Sequence, residues 1–323
     1  NLTSENYIGM SRGVAVQTGS AASTGTAVVY EAASTYYQDI AYDANAQKVV
    51  VIYSDQGNSN AGTAVVGTVS GNTISFGSPV VWEATNGVRG RIAYDTNAQK
   101  VVIGYTDDGN SGYGTAVVGT VSGTSISFGT PVVFRSADTI MWDVVYDANA
   151  QKVVIAHRYQ QSPYAGYGIV GTVSGTSISF GSPTVYNNAT TGRTRAAYDA
   201  NAQKVVFAYE DNGNSSHGTA IVGTVSGTGI SFGSEVVFEA ATSSEVGIAY
   251  DSDSQKIVIG NPLDDQTNLG PLCTKKQIEL IEETIQKSIK QGGDIIFGGK
   301  RVETEGNYFE PTLIHCPDQN IET

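Results

Sequence analysis

The sequence predicts an all-β protein, a five-bladed β-propeller of four-stranded antiparallel blades followed by a short α/β tail. The pair Tyr42-Asp43 returns every 52 residues, at positions 94, 146, 198 and 250, without insertion or deletion. Each copy holds four β-prone runs separated by turn residues. The 38 glycines and the low charged fraction of 15% suit short strands and tight turns. Such a unit is typical of a propeller blade, with a solenoid of hairpins as the alternative.

The second repeat shows the predicted strands most clearly. Residues 92–95 and 100–106 form a first hairpin around an Asp-Thr-Asn-Ala-Gln turn. Residues 115–122 and 125–134 form a second hairpin, in which Gly123 supplies the positive φ of the reversal. We therefore expect four strands per repeat, the fourth of them continuous.

The ends of the repeated region favour a closed ring. Residues 14–30 align without gaps on residues 66–82, which makes them a second half-blade, whereas residues 248–259 hold only a first half-blade. Joined, the two halves complete a fifth blade and leave no unpaired edge. The predicted organisation is an N-terminal arm (1–13), the propeller (14–260) and a separate C-terminal segment (261–323).

Positions that never vary between repeats are expected to serve packing. Tyr42, Lys48, Gly67, Phe76 and their equivalents form this framework. We expect the tyrosine to be a core aromatic whose hydroxyl is satisfied at the blade end, and the phenylalanine to pack between blades.

One position alternates in charge along the repeats, just before each first strand. It reads Asp39, Arg91, Asp143 and Arg195, with Gly247 in fifth place. We expect these side chains to pair at the mouth of the channel, a structural role. The two aspartates are also the only regular carboxyl pair for a glycosidase. That alternative is disfavoured, because a glycosidase needs one protonated carboxyl group as its acid, and the arginines between the two aspartates would keep both ionised.

Sequence variation concentrates in two loop sets that should emerge on one face of the propeller. Diverse loops on a rigid scaffold commonly carry recognition, and aromatic and arginine side chains suit it. The pattern predicts a non-enzymatic binding or adhesion module for a glycan or protein surface, with neutral drift and a purely architectural protein as alternatives. The candidate ligand-binding residues are Tyr36, Tyr37, Arg89, Arg91, Trp142, His157, Arg158, Tyr159, Tyr164, Arg193, Arg195 and His217.

The third repeat departs from its siblings. Where the others carry Asp-x-Gly-Asn-Ser, residues 157–164 read His-Arg-Tyr-Gln-Gln-Ser-Pro-Tyr, which predicts an asymmetric pocket. The regular loops hold too few carboxylates for calcium, so no metal is expected.

Composition limits the partners. A net charge of −13 makes nucleic acid an unsuitable partner. No apolar run reaches about 20 residues, so no membrane insertion is expected, and no secretion leader is visible. Cys273 and Cys316 both lie outside the repeats.

The repeats resemble lectin-type propellers. The Gly/Ser/Thr-rich units and the Asn-Leu-Thr-Ser-Glu-Asn-Tyr-Ile-Gly opening are also similar to repeat regions of phage structural or tail-associated proteins. These resemblances imply an extracellular or virion-associated protein, with homo-oligomer or virion assembly among its interactions.

The C-terminal segment resembles the aldehyde dehydrogenase family. The matching residues are Asn261-Pro262-Leu263-Asp264, Thr267, Gly270-Pro271-Leu272, Gly292-Gly293, Gly298-Gly299 and Gly306-Asn307-Tyr308-Phe309-Glu310-Pro311-Thr312. The resemblance implies a piece that follows the catalytic cysteine and precedes a glutamate near the nicotinamide cofactor.

The family's catalytic motifs are absent from this chain. It has no Gly-Gln-x-Cys nucleophile, no Glu-Leu-Gly-Gly base and no dinucleotide fold. We therefore expect no catalytic residue, no cofactor and no enzyme activity, the segment being a non-catalytic appendage. The alternative is an aldehyde dehydrogenase-related enzyme fragment that is inactive as it stands. Residues 275–291 predict a helix with Ile278, Ile281, Ile285 and Ile289 on one stripe, ended by Gly292-Gly293.

Overall fold

The computed structural model describes residues 25–84, 89–244, 246–252, 254–260, 275–292, 294–297, 300–301 and 313–315. They separate into two compact units. We call Gly25–Tyr250 with residues 259–260 the repeat unit. The described residues of Asp251–Val258 and Pro262–Thr323 form the tail unit.

The first repeat forms one antiparallel sheet in the order β1-β2-β3-β4, with β5 also paired to β3. Its strands are β1 (Thr35–Asp43), β2 (Lys48–Asp55), β3 (Ala61–Ser70), β4 (Thr73–Phe76) and β5 (Val80–Glu83). A short 3₁₀ turn, Gln56–Asn58, joins β2 to β3, and the side chain of Asp55 caps it by accepting from Gly57 N.

The second and third repeats share a nine-stranded sheet, because one long strand belongs to both. The N-terminal part of β10 pairs with β8 and its C-terminal part pairs with β11. The strands are β6 (Arg89–Asp95), β7 (Lys100–Asp107), β8 (Tyr113–Ser122), β9 (Ser125–Phe128), β10 (Val132–Asp147), β11 (Lys152–Tyr159), β12 (Gly166–Ser174), β13 (Ser177–Phe180) and β14 (Thr184–Asn187).

The fourth repeat returns to a sheet of five strands, followed by a hairpin. The sheet holds β15 (Thr191–Asp199), β16 (Lys204–Asp211), β17 (His217–Ser226), β18 (Gly229–Phe232) and β19 (Val236–Thr242), and the hairpin holds β20 (Gly247–Asp251) and β21 (Lys256–Gly260).

The fourth strand of each repeat is broken, which corrects the prediction of one continuous run over residues 125–134. In the second repeat β9 ends at Phe128 and β10 begins at Val132. Gly129 N still donates to Val118 O, but Pro131, two residues on, has no N–H for the ladder. The chain therefore leaves β8 and rejoins it in a new register.

The core lies between successive sheets, so the central strands are buried on both faces. Val101 and Ile103 of β7 pack toward the first sheet, whereas Val102 between them packs toward the third repeat. All three are 0% exposed. This explains why these strands read as unbroken apolar runs, the pattern of strands covered on both faces.

The framework tyrosines connect each repeat to the one before it. The hydroxyls of Tyr94, Tyr146 and Tyr198 accept hydrogen bonds at 3.1–3.2 Å from the backbone N–H of the asparagine in the preceding repeat's turn. The predicted satisfied hydroxyl is confirmed at these three positions. The expectation of a core aromatic is wrong, because these tyrosines are only half-buried and Tyr42 is 57% exposed. Phe180 and Phe232 lie 5.4 and 5.8 Å from the last-strand aromatic of the preceding repeat, Phe134 and Tyr186, so this phenylalanine packs between repeats.

The tail unit contains the helix that the isoleucine stripe predicts. Helix α1 (Lys275–Lys290) is followed by β22 (Asp294–Phe297), which pairs antiparallel with β23 (Leu313–His315). Gly292 ends the helix at φ +96°, a conformation that glycine adopts readily. Ile285 is 5% exposed and Ile289 is 39% exposed, whereas the side chains of Ile278 and Ile281 lie outside the described residues.

Ring closure stays a prediction. The sheets formed by the described strands are open, and the arm (1–13) and most of the half-blade (14–30) lie outside the described residues. Tyr30, at the end of that half-blade, packs on Tyr53 with ring centroids 5.2 Å apart. Trp82 packs on Tyr105 in the same way one repeat later, at 4.8 Å.

Candidate functional site

Seven of the twelve candidate residues line one cavity of about 500 Å³ in the repeat unit. We call this cavity the arginine pocket. The candidates that line it are Tyr37, Arg89, Arg91, Trp142, Arg158, Arg193 and Arg195, and Ile140 and Met141 complete its wall. Residues far apart in sequence meet here because β1, β6, β10 and β15, the first strands of the four repeats, pack in that order.

Two Arg-x-Arg pairs supply four of the five guanidinium groups. Arg89 and Arg91 begin β6, and Arg193 and Arg195 lie two repeats later on β15. Residues two apart on a strand point to the same face, so each pair directs both of its side chains to one side. The pocket therefore receives arginines from the second and fourth repeats.

The alternating aspartates connect neighbouring repeats through the backbone. Asp39 Oδ2 accepts from Ile92 N at 3.1 Å, and Asp143 Oδ2 accepts from Ala196 N at 2.9 Å. Arg195 Nη1 donates to Trp142 O at 3.2 Å. These bonds support a structural role, but they join side chains to the backbone, and the pairing of aspartate with arginine side chains stays a prediction.

Arg158 enters the pocket from the third repeat and is held by its neighbours. Its Nη1 donates to Thr191 O at 2.9 Å, and its Nη2 donates to Gln160 Oε1 at 2.8 Å. The guanidinium lies over the rings of Trp142 and Tyr164, at 5.6 and 5.8 Å from their centroids. Burial lowers the pKa of Arg158, and the nearby charge of Arg89 acts in the same direction.

The other five candidates lie outside the pocket lining. Tyr36 and Tyr164 are 54% and 41% exposed, and His217 begins β17. Tyr159 lies under the guanidinium of Arg135, 4.6 Å from its ring centroid. Tyr36 packs on Tyr37 and Tyr164 lies under Arg158, so these two tyrosines adjoin the pocket without lining it.

His157 is a core residue, not a loop residue. It is 1% exposed and stacks on Tyr167 with ring centroids 5.6 Å apart and an angle of 17°. Burial lowers its pKa to about 3, and Arg135 contributes in the same direction. A neutral, enclosed imidazole cannot serve as a ligand-binding loop residue.

Arg135 is the residue that the sequence reasoning missed. Its guanidinium lies between Tyr159 and Tyr167, 5.3 Å from the second ring. The signal was present in the repeats, because Arg135 occupies the position of Glu31 and Glu83, whose carboxylates accept from the hydroxyls of Tyr53 and Tyr105. In the third repeat both members of that pair change, glutamate to arginine and tyrosine to histidine.

Metal and membrane sites are not found in the part of the chain that the structure describes. No group of three or more His, Cys, Asp or Glu side chains there is arranged to hold a metal ion. None of the helices described is long and apolar enough to cross a membrane.

A family of enzymes matches the C-terminal part of the chain. Residues 219–322 match the aldehyde dehydrogenase family. The C-terminal part of this chain is similar to aldehyde dehydrogenases. The match begins within β17 and so includes the end of the fourth repeat as well as the tail unit.

Individual relatives agree with the family match. A (Z)-2-((N-methylformamido)methylene)-5-hydroxybutyrolactone dehydrogenase of Acinetobacter baylyi is 37% identical over 35% of this chain and 23% of its own length. A 3-sulfolactaldehyde dehydrogenase of Priestia aryabhattai is 38% identical over 19% of this chain and 12% of its own. The aldehyde dehydrogenase family 7 member B4 of Arabidopsis thaliana reaches 48% over 19% and 12%. The chain thus spans less than a quarter of these relatives.

The comparisons overturn the main functional prediction. An adhesion module of lectin or phage-tail type, with no relation to enzyme activity, was the wrong interpretation, because the matched family and the named relatives are dehydrogenases. The error came from giving the repeats more weight than the tail. The resemblance to aldehyde dehydrogenases, in contrast, is confirmed for the C-terminal segment.

Most of the residues that carry the resemblance lie outside the described ones. These include residues 261–274, 298–299 and 302–312, and both cysteines. The described part contributes α1, the β22–β23 pair and a bidentate contact in which Arg301 Nε and Nη2 donate to Glu282 at 2.6 and 3.0 Å. That contact lowers the pKa of Glu282.

Proposed function

We propose that this chain is an aldehyde dehydrogenase-related enzyme fragment, in which the C-terminal segment supplies part of the dehydrogenase domain. The observation that carries the proposal is the family match over residues 219–322. Relatives from two bacteria and a plant, all named as dehydrogenases, match 114, 61 and 60 residues of the chain.

The described elements of the tail unit support a framework role within that domain. Helix α1 is amphipathic: Ile285 and Ser288 are 5% and 0% exposed, whereas Glu283 and Lys287 form an exposed i,i+4 ion pair at 3.2 Å. Arg301 binds the helix flank through Glu282. The segment thus presents one buried and one charged helix face, as a surface helix of an enzyme domain does.

The residues described do not form a nicotinamide site. A dinucleotide fold needs parallel strands joined by a helix with a glycine-rich turn at its N-terminus. In the tail unit α1 is followed by β22, which pairs antiparallel with β23. The cofactor and the nucleophile of the dehydrogenase reaction must therefore be held by other parts of such a domain.

A segment exchange tests the proposal. The matching residues of this chain would replace the 60-residue matched segment of the Arabidopsis relative, and NADH formation from an aldehyde would be followed by absorbance. We expect the exchanged enzyme to fold and to retain measurable aldehyde oxidation, because the segment supplies a framework that the relative already uses.

Two substitutions in the exchanged enzyme provide the control. Ile285→Asp places a carboxylate in the buried helix face and should abolish folding and activity, whereas Glu283→Gln, on the exposed face, should leave both nearly unchanged. An exchanged enzyme that folds with the circular dichroism of the parent but oxidises no aldehyde would refute the proposal.

A further inference from the structure

We infer that the arginine pocket binds a small multivalent anion, a molecule that carries at least two carboxylate, sulfate or phosphate groups. The inference concerns the repeat unit and is independent of the dehydrogenase-related function proposed for the tail. The ligand is a small molecule held in the cavity, and no macromolecular partner is proposed.

The charge of the pocket is opposite to that of the chain. Five guanidinium groups line a cavity of about 500 Å³, and no carboxylate is among its lining residues, although the net charge of the chain is −13. Like charges that line one cavity repel one another, and a low local dielectric strengthens the repulsion. Burial is the main cause of the lowered pKa of Arg158, and the charge of Arg89 adds to it. A bound anion would relieve the repulsion.

Arg158 and Arg91 keep hydrogen-bond donors for a ligand. A guanidinium has five N–H groups. Arg158 uses one on Thr191 O and one on Gln160 Oε1, and Arg91 Nη1 uses one on Gly90 O. These bonds fix the guanidinium planes while the remaining N–H groups can bind carboxylate or phosphate oxygens in pairs.

The arrangement favours two anionic groups over one. The pair Arg89 and Arg91 comes from β6, the pair Arg193 and Arg195 comes from β15, and Arg158 comes from β11 between them in sequence. Arg193 Nη1 also donates to Ser244 O and Arg195 Nη1 to Trp142 O, and the arginines at the two sides of the cavity suit two anionic groups. Ile140 and Met141 add an apolar wall for the body of the ligand, and the volume lies within the usual range of small-molecule sites, roughly 300–1,000 Å³.

Calorimetric titration of the full chain tests the inference. The probes are inorganic pyrophosphate and citrate, with inorganic phosphate and acetate as comparators that carry a single anionic group, in about 50 mM NaCl. We expect pyrophosphate or citrate to bind once per chain and at least ten-fold more tightly than its comparator, and to weaken in about 0.5 M NaCl. Tighter binding of pyrophosphate than of citrate would indicate a phosphate ligand, and the reverse order would indicate a carboxylate ligand.

Matched variants locate the binding. Arg158→Gln and Arg89→Gln each remove one charge from the pocket, and the loss of a charge-assisted hydrogen bond should weaken binding about ten-fold or more. Lys204→Gln removes one charge at the opposite end of the fourth sheet, where Lys204 pairs with Asp199, and should leave binding unchanged.

Either of two results would overturn the inference. One is that neither pyrophosphate nor citrate binds below about 10 mM. The other is that Lys204→Gln weakens binding as much as the arginine variants do, which would show non-specific attraction. If Arg158→Gln lowers the unfolding temperature, its weaker binding does not separate a lost contact from partial unfolding. The Arg89→Gln variant then decides whether the pocket binds the anion, because the Arg89 side chain is exposed.

Discussion

At the scale of single residues, the third repeat replaces one interaction by another at a contact between blades. Tyr53 and Tyr105 donate their hydroxyls to Glu31 and Glu83, at 3.3 and 3.1 Å. Burial raises the pKa of both tyrosines, and the glutamates add to that effect. At the equivalent place His157 meets Arg135, and its ring nitrogens make no well-formed hydrogen bond. The imidazole is held by ring contacts with Phe134 and Tyr167, and burial beside Arg135 favours its neutral form.

This arrangement predicts an acid sensitivity that belongs to His157. Its pKa falls from 6.5 in the unfolded chain to about 3 in the fold, so between these values the unfolded state binds the extra proton. The stability due to the neutral imidazole is complete above pH 6.5 and is lost as the pH falls toward 3. Between pH 7 and pH 4 we expect a loss of about 3 kcal/mol in the free energy of unfolding.

The measurement is urea unfolding of the wild type and of His157→Phe between pH 7 and pH 4. Phenylalanine keeps an aromatic ring against Tyr167 but does not titrate. As the pH falls from 7 to 4, the wild type should therefore lose about 3 kcal/mol more of its free energy of unfolding than the variant does. Parallel curves for the two proteins would show that His157 does not titrate in this way.

At the scale of elements, the break in the fourth strand allows the backbones of neighbouring repeats to come into contact. A Cβ added at Gly77, Gly129 or Gly181 would overlap the carbonyl oxygen of the threonine in the next repeat's hairpin turn, Thr124, Thr176 or Thr228. Gly25 meets Asn72 in the same way. The glycine lies at the break because the backbone of one repeat contacts the turn of the next there, with no room for a side chain between them.

Gly129→Ala tests this contact. The added methyl group must displace the backbone of Thr176, so we expect a loss of about 3 kcal/mol of stability. Gly229→Ala is the matched control, since the nearest atom to its Cβ is 3.8 Å away and the other repeats carry serine or threonine there. It should be neutral or stabilising by up to about 1 kcal/mol. Thermal unfolding of both variants gives the comparison, and equal effects would contradict it.

At the scale of the whole molecule, one face of the fourth sheet is exposed in the described structure. Val66, Val118 and Val170 are 0–1% exposed between sheets, whereas their equivalent Val222 is 45% exposed. Val236, Val237 and Phe238 on β19 are 62%, 44% and 39% exposed. An apolar face of this kind needs a cover, and a composite fifth blade would supply one.

Val222→Asp distinguishes a closed ring from an open arc. In a closed ring Val222 is buried like Val118, so Val222→Asp and Val118→Asp should both cost about 3–5 kcal/mol, the penalty of an uncompensated buried charge. On an open face the Val222 variant should stay within about 0.5 kcal/mol of the wild type. Chemical denaturation of the three proteins decides, and a neutral Val222→Asp would refute the five-bladed prediction.

The sequence by itself determined the repeat, the strand content and the helix of the tail. A spacing of 52 residues without gaps, apolar runs between turns and an isoleucine stripe ended by Gly292-Gly293 are local signals, and local signals survive without tertiary context. The motifs of the C-terminal segment likewise indicated the dehydrogenase family, although the functional interpretation gave them too little weight.

Only the tertiary structure decided which candidate residues share a site. Arg89, Arg158 and Arg195 come from three different repeats and meet in one pocket, whereas His157, the immediate neighbour of Arg158, is enclosed in the core. Adjacent residues on a strand point to opposite faces, and here each face meets a different sheet. Chain position therefore shows that a residue belongs to a variable segment, but the packing of the sheets decides which of its neighbours it meets.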